Sequence, residues 1–229
     1  MDQLSTGMSA LVSEGAAALV VRARRGVKVW SAGHDIWELP EPRRDPLAYG
    51  NTLERLLREI QDCPVPVIAM VEGSVWGGAC DLCAACDMVI AAEGASFAMT
   101  PAKIGIPYNA SGLNHFINHL GLNKAKEMFF TARPTPAEEA LRSGFLNHVV
   151  PADKLEDFTL EMVERIAANA PLAVRAIKEQ FRLITTGALI STETAERIQQ
   201  IRRMVYDSAD YKEGIEAFKE KRKPVFQGK

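Results

Sequence analysis

The sequence predicts an α/β protein with parallel strands, followed by a helical C-terminal section. Three observations lead there. Short apolar runs rich in β-branched residues (16–21, 65–71 and 88–92) alternate with helical patterns, and that order implies parallel strands joined by crossovers. From residue 111 onward the chain reads as almost wholly helical. The length of 229 residues, with 47% hydrophobic and 24% charged, suits one large domain, or a domain with an appended arm, able to bury a core.

Each element can be justified in turn. Leu4, Met8, Leu11 and Val12 share one face of a first helix. Residues 16–21 form a buried strand and 27–30 a shorter apolar run. The stretch 31–45 carries Gly33, Pro40 and Pro42, with Pro46 next, and reads as a loop. Leu53, Leu56, Leu57 and Ile60 make an amphipathic helix. The strand 65–71 follows Pro64 and ends at the turn Glu72-Gly73-Ser74. Gly77-Gly78 opens a helix over 79–86, the strand 88–92 follows, and 97–110 is irregular. Thr135-Pro136-Ala137-Glu138 has the pattern of a capping box. Further helices are expected over 154–168, 172–185, 191–206 and 209–223. The division is an α/β body over 1–150 and a helical section over 151–229.

Charge excludes some partners. Lys and Arg number 27 and Asp and Glu 29, so the formal charge is −2. A nucleic-acid or anionic membrane surface would want a basic excess. No stretch has the length of a membrane span, and the N-terminus lacks a basic n-region, so a cytoplasmic protein is expected. Four cysteines are too few for a disulfide scaffold. Cys80, Cys83 and Cys86 fall at helical spacing among Ala and Leu, which predicts packing rather than a cluster. His115 and His119 have zinc-helix spacing, but residue 116 is Phe where a zincin needs Glu, so a solvated face is expected.

The informative fragment is the run from Val71 to Asp81, Val-Glu-Gly-Ser-Val-Trp-Gly-Gly-Ala-Cys-Asp. A strand runs into a glycine pair and then a helix. Gly77 and Gly78 allow close approach to the backbone, and the first helical N–H groups have no internal partner. Such a terminus can stabilise an oxyanion, although close helix–strand packing would ask for the same glycines. A second small-residue turn, Ser31-Ala32-Gly33-His34-Asp35-Ile36, can expose one more N–H.

Together these fragments resemble the signature of the crotonase (enoyl-CoA hydratase/isomerase) superfamily, and the likeness extends through 97–105, 140–150 and 217–226. The resemblance implies a crotonase-type ββα spiral core. It also implies an oxyanion hole for an acyl-CoA thioester, made by the N–H groups of His34 and Gly78. Ala32, Gly33, Asp35, Ile36, Trp76 and Gly77 would surround the substrate. Phe218 and Lys221, in the tail, would reach the adenine and phosphate end of CoA. No metal or organic cofactor is implied. A homotrimer or a dimer of trimers is implied, with the C-terminal helices completing the CoA sites. Members usually begin with a β-hairpin ahead of the first helix; this sequence starts at that helix, so the hairpin is expected to be missing.

Within the superfamily the acid–base groups discriminate. Hydratases carry two glutamates. Here the first position holds Asp81, and Thr100-Pro101-Ala102-Lys103 offers no second carboxylate. Tyr108 stands where hydratases have glycine. The runs Gly-Ser-Val-Trp-Gly-Gly-Ala, Ser-Ala-Gly-His-Asp-Ile and Met-Thr-Pro…Gly-Ile-Pro-Tyr-Asn resemble the subgroup that decarboxylates methylmalonyl-CoA. That implies Tyr108 and Thr100 as orienting groups for the substrate carboxylate, with Trp76 and Ile104 excluding water. Alternatives are hydration or isomerisation of another acyl-CoA through Asp81, and a non-catalytic CoA-binding paralogue.

Overall fold

The computed structural model describes residues 1–39, 44–186 and 192–228. Pro40, Pro42, Ser191 and Lys229, which figure in the sequence expectations, lie outside these residues. The chain forms two four-stranded sheets built by a repeated strand–strand–helix unit. The first sheet holds β1 (Leu19–Arg22), β3 (Val67–Val71), β5 (Met88–Ala92) and β8 (His148–Val150), in that order and all parallel. The second holds β2 (Val29–Ser31), β4 (Ser74–Trp76), β6 (Ser96–Ala98) and β7 (Thr135–Pro136), with only β7 antiparallel. Three of the first-sheet strands, β1, β3 and β5, each turn into a second-sheet strand and then a helix: α2 (Thr52–Asp62), α3 (Gly78–Ala85) and α4 (Ala110–Thr131). This is the ββα spiral.

The first sheet is buried on both faces, which explains its continuous apolar runs. Val67, Ala69 and Val71 point into the main core with α2 and α3, while Ile68 and Met70 face α6 (Leu155–Ala167) on the other side. The first helix, α1 (Asp2–Ser13), buries Met8 but leaves Leu11 exposed. The four cysteines are free and buried, and for Cys80, Cys83 and Cys86 this is the packing that their helical spacing predicts.

Several expectations need correction. The second sheet was legible only as the run 27–30, because its strands span two or three residues, too short for a periodicity. Phe97 and Ala98, expected in an irregular stretch, pair with β4. The region after 111 is not wholly helical, since β7 and β8 complete the two sheets. The capping box does not form. Thr135 is buried in β7 opposite Phe97, and α5 (Ala137–Arg142) begins without a side-chain cap. The remaining helices are α7 (Pro171–Thr186), α8 (Thr192–Tyr206) and α9 (Ala209–Lys219). The last stops four residues before the expected end, where Lys221 takes a left-handed conformation (φ 56°) and the Arg222 N–H reaches back to the Ala217 carbonyl.

Candidate active site

The two informative fragments meet in space. Gly33 has φ 89°, and a Cβ there would lie 2.5 Å from the Trp76 carbonyl oxygen and 3.3 Å from the Gly78 nitrogen, so only glycine lets the loop approach the β4–α3 turn. Gly77 turns the strand into α3 with φ 53° and a backbone no side chain favours. A Cβ on Gly78 would stand 3.7 Å from the His34 nitrogen. The N–H groups of His34 and Gly78 are therefore neighbours. Among the described residues neither donates to a protein acceptor. Gly78 is the first residue of α3, so its N–H also carries the positive end of the helix.

A narrow pocket of about 70 Å³ opens over these donors. Its walls are Ala32, His34, Ile36, Leu39, Leu47, Leu53, Gly77, Gly78, Thr100, Pro101, Ile104, Ile106 and Tyr108. Among the described residues no carboxylate lines it. A larger groove of about 440 Å³, between α8 and the start of α4, is lined by Glu196, Gln199 and Arg203 and offers no such pair of donors.

Tyr108 is the polar wall, with Thr100 beside Gly77. The hydroxyl of Tyr108 donates to Asp81 Oδ2 at 2.6 Å, and burial next to that carboxylate pushes the phenol well above its usual range. Asp81 is fully buried, and its other oxygen lies 2.7 Å from His115 Nδ1. His115 and His119 are therefore not on a solvated face, as their spacing suggested. His119 Nε2 lies 2.9 Å from the Ala84 carbonyl oxygen, and both rings pack against α3. Among the described residues no group of three or more His, Cys, Asp or Glu is placed to hold a metal ion.

The His34 ring nitrogens are buried and, among the described residues, have no hydrogen-bond partner; burial lowers the ring's pKa below its ordinary value. Asp35 caps the following 3-10 turn by accepting from the Trp37 N–H at 2.9 Å; it shapes the loop without lining the pocket. Trp76, expected to keep water out, is not a wall residue of the pocket and donates from Nε1 to Ser74 Oγ at 2.9 Å; the apolar wall includes Leu47, Leu53 and Ile106. Leu47, Leu53 and Ile106 were missed because their apolar character reads simply as core. Glu54, a buried acid beside Asp81, was missed for the opposite reason: on α2 it sits among leucines and looks like a surface charge.

The tail backs the pocket. Tyr206, Tyr211 and Ile215 pack against Ile36, Leu39 and Ile106, three of its wall residues. Phe218 and Lys221 are exposed and outside the pocket, and Lys219 Nζ stands 4.9 Å above the Trp37 ring.

The enoyl-CoA hydratase/isomerase family model matches residues 9–229. Methylmalonyl-CoA decarboxylase of Escherichia coli (strain K12) is 47% identical over 228 residues, covering 100% of this chain and 87% of that protein. Carnitinyl-CoA dehydratase of Salmonella enteritidis PT4 is 36% identical, covering 89% of this chain and 79% of that one. Among solved structures, a methylmalonyl-CoA decarboxylase bound to 2-nitronate-propionyl-CoA superposes with a TM-score of 0.98 at 47% identity, covering 100% of this chain and 88% of that one. A methylmalonyl-CoA decarboxylase complexed with 2S-carboxypropyl CoA gives 0.97 at 47% identity, covering 100% and 87%. With the fold, the paired donors and these matches in agreement, the chain belongs to the enoyl-CoA hydratase/isomerase family.

Proposed function

We propose that the chain decarboxylates methylmalonyl-CoA to propionyl-CoA and CO₂. The observation that carries this is a pair of N–H groups, unpartnered among the described residues, over a pocket that no described carboxylate lines. The thioester oxygen sits between the N–H groups of His34 and Gly78. The bond from the 2-carbon to the carboxylate breaks, its electron pair enters the thioester as an enolate, and CO₂ departs. The negative charge that develops on the oxygen is met by donors already in place; one such donor is typically worth ~10²–10³ in rate. A proton then adds to the 2-carbon. No base is required, because the departing CO₂ leaves the electron pair behind.

The remaining assignments belong to the same reading. Thr100 and Tyr108 orient the substrate carboxylate, and Ala32, Gly33, Ile36 and Gly77 shape its surroundings, with Asp35 fixing the turn and Trp76 supplying the carbonyl against which Gly33 packs. Phe218 and Lys221 meet the nucleotide end of CoA. Residues 1–150 supply the catalytic body, and 151–229 supply CoA covering and self-association, as a trimer or a dimer of trimers. The reaction uses no metal or organic cofactor. Four free, buried cysteines support a reducing, cytoplasmic setting, and among the described residues no helix is long and apolar enough to cross a membrane.

Hydration through Asp81 fits less well. Both its oxygens are engaged and it has no exposed surface, whereas a general base must reach its proton. The test is to supply methylmalonyl-CoA and follow CO₂ release, with crotonyl-CoA hydration measured in parallel. Decarboxylation with negligible hydration is expected. Faster hydration would overturn the assignment, and inactivity on both would favour a CoA-binding role.

A further inference from the structure

Behind Tyr108 lie two buried ionisable groups, Asp81 and His115, to which the reaction above gives no role. Tyr108, in the pocket wall, donates to Asp81 Oδ2 at 2.6 Å, and His115 Nδ1 lies 2.7 Å from Asp81 Oδ1. Asp81 has no exposed surface, so its charge must be met within the protein. Gly112 holds the arrangement closed, since a Cβ there would strike the Tyr108 ring and come within 2.7 Å of Asp81 Oδ2. The other ring nitrogen of His115, Nε2, lies 2.9 Å from the Gln61 side-chain amide. His115 lines a separate groove of about 270 Å³, so it can exchange protons without passing through the acyl pocket.

Tyr108 has one proton and, once substrate binds, two carboxylates that compete for it. Which one receives it depends on how well Asp81 is otherwise satisfied. We propose that His115 is a positioning residue for the carboxylated acyl group: as an imidazolium it neutralises Asp81, and Tyr108 can turn its O–H from Asp81 to the substrate carboxylate. With neutral His115, Asp81 keeps the phenol proton and leaves an uncompensated negative charge behind the substrate's own. Like charges brought together in this way oppose binding.

Glu54, on α2, lies beside Asp81 and is itself only 5% exposed, so this buried group holds two acids and one cation at most. His119, one turn along α4, has its pKa lowered by burial first and also by the charge of His115. Asp87, Lys178 and Arg182 line the groove, with Lys178 bonded to Asp87 at 2.7 Å. Burial pulls the His115 pKa down, but the hydrogen bond to Asp81 and the charges of Asp81 and Glu54 outweigh it, and the net direction is upward.

The inference rests on the reading that the substrate is a carboxylated acyl-CoA, and the test separates the two. The affinities of 2-carboxypropyl-CoA and propionyl-CoA are measured for the full chain between pH 5.5 and 8.5, in wild type, His115→Gln and His115→Gln/Asp81→Asn. In wild type the preference for the carboxylated ligand should fall about tenfold as pH rises. His115→Gln should lose that preference at low pH and flatten its pH dependence. Its affinity for propionyl-CoA should stay within twofold of wild type, which also checks the fold. Removing the Asp81 charge in the double variant should restore the preference. A pH-independent preference in wild type, equal weakening of both ligands, or no restoration would overturn the role of His115. Failure of wild type to release CO₂ from methylmalonyl-CoA would instead overturn the underlying reading.

Discussion

At the scale of single residues, backbone and side-chain contributions to the site can be separated. His34→Ala keeps its N–H and should cost less than tenfold in kcat. Gly78→Pro removes a donor and should cost ~10²–10³ or more, with circular dichroism confirming the fold. A folded, fully active Gly78→Pro protein would sink the oxyanion-hole model. The glycine pair and the His34 turn were legible in the sequence because only special backbone positions ask for that spacing. The chain Tyr108–Asp81–His115 was not legible, because its members are 27 and 34 residues apart and meet only when α4 packs across α3. A stability measurement can expose it. A histidine whose folded pKa lies above its ordinary value of about 6.5 stabilises fully below that pH. That contribution is lost as pH rises through the folded value. Thermal unfolding between pH 5 and 8.5 should therefore show a larger difference between wild type and His115→Gln at the acid end.

Single elements were read well where they are long and buried, and poorly where they are short. The continuous runs of β3 and β5 announce strands covered on both faces, and the leucines of α2 announce a helix. The strands of the second sheet gave no comparable signal. Pairing with their neighbours, not residue preference, makes them strands. The same logic explains Thr135, whose cap-like pattern lost to a place in β7. The most consequential element contact is that of α9 with the 3-10 turn Pro101–Ile104, which carries two wall residues of the pocket. Gly214 lies against Ile104 so closely that a Cβ would meet the Ile104 carbonyl. Gly214→Ala must push helix and turn apart, at a cost of about 1–3 kcal/mol from overpacking. Because the turn is also pocket wall, the variant should lose kcat as well as thermal stability. Unchanged kinetics in a destabilised protein would show that α9 supports the fold without shaping the site.

For the molecule as a whole, the C-terminal section presents more apolar surface than a self-contained chain needs. On α7, Leu172 is 78% exposed, Phe181 65% and Ile184 75%, and on α8 Met204 is 71% exposed. Exposed apolar surface of this kind is what a subunit interface would cover, and the proposed trimer would bury it. Phe181→Asp should lower the mass seen by light scattering, whereas a wild-type monomer with full activity would rule the assembly out. The tail beyond α9 bears on substrate affinity. Of its cations, Arg222 is tied to Glu213, whose carboxyl that hydrogen bond and the Val225 N–H hold down near pH 2. Lys221 and Lys223 are exposed and, among the described residues, form no ion pair; on the proposed reading they meet CoA phosphates, in contacts that are charge-assisted and screened by salt. Such contacts act on bound substrate and transition state alike, far from the breaking bond. Deleting 219–229 should therefore raise KM much more than it lowers kcat, the signature of lost uniform binding. The rise should shrink as salt is added, because the intact protein loses the same contacts to screening. An unchanged KM at low ionic strength would remove the tail from the CoA site.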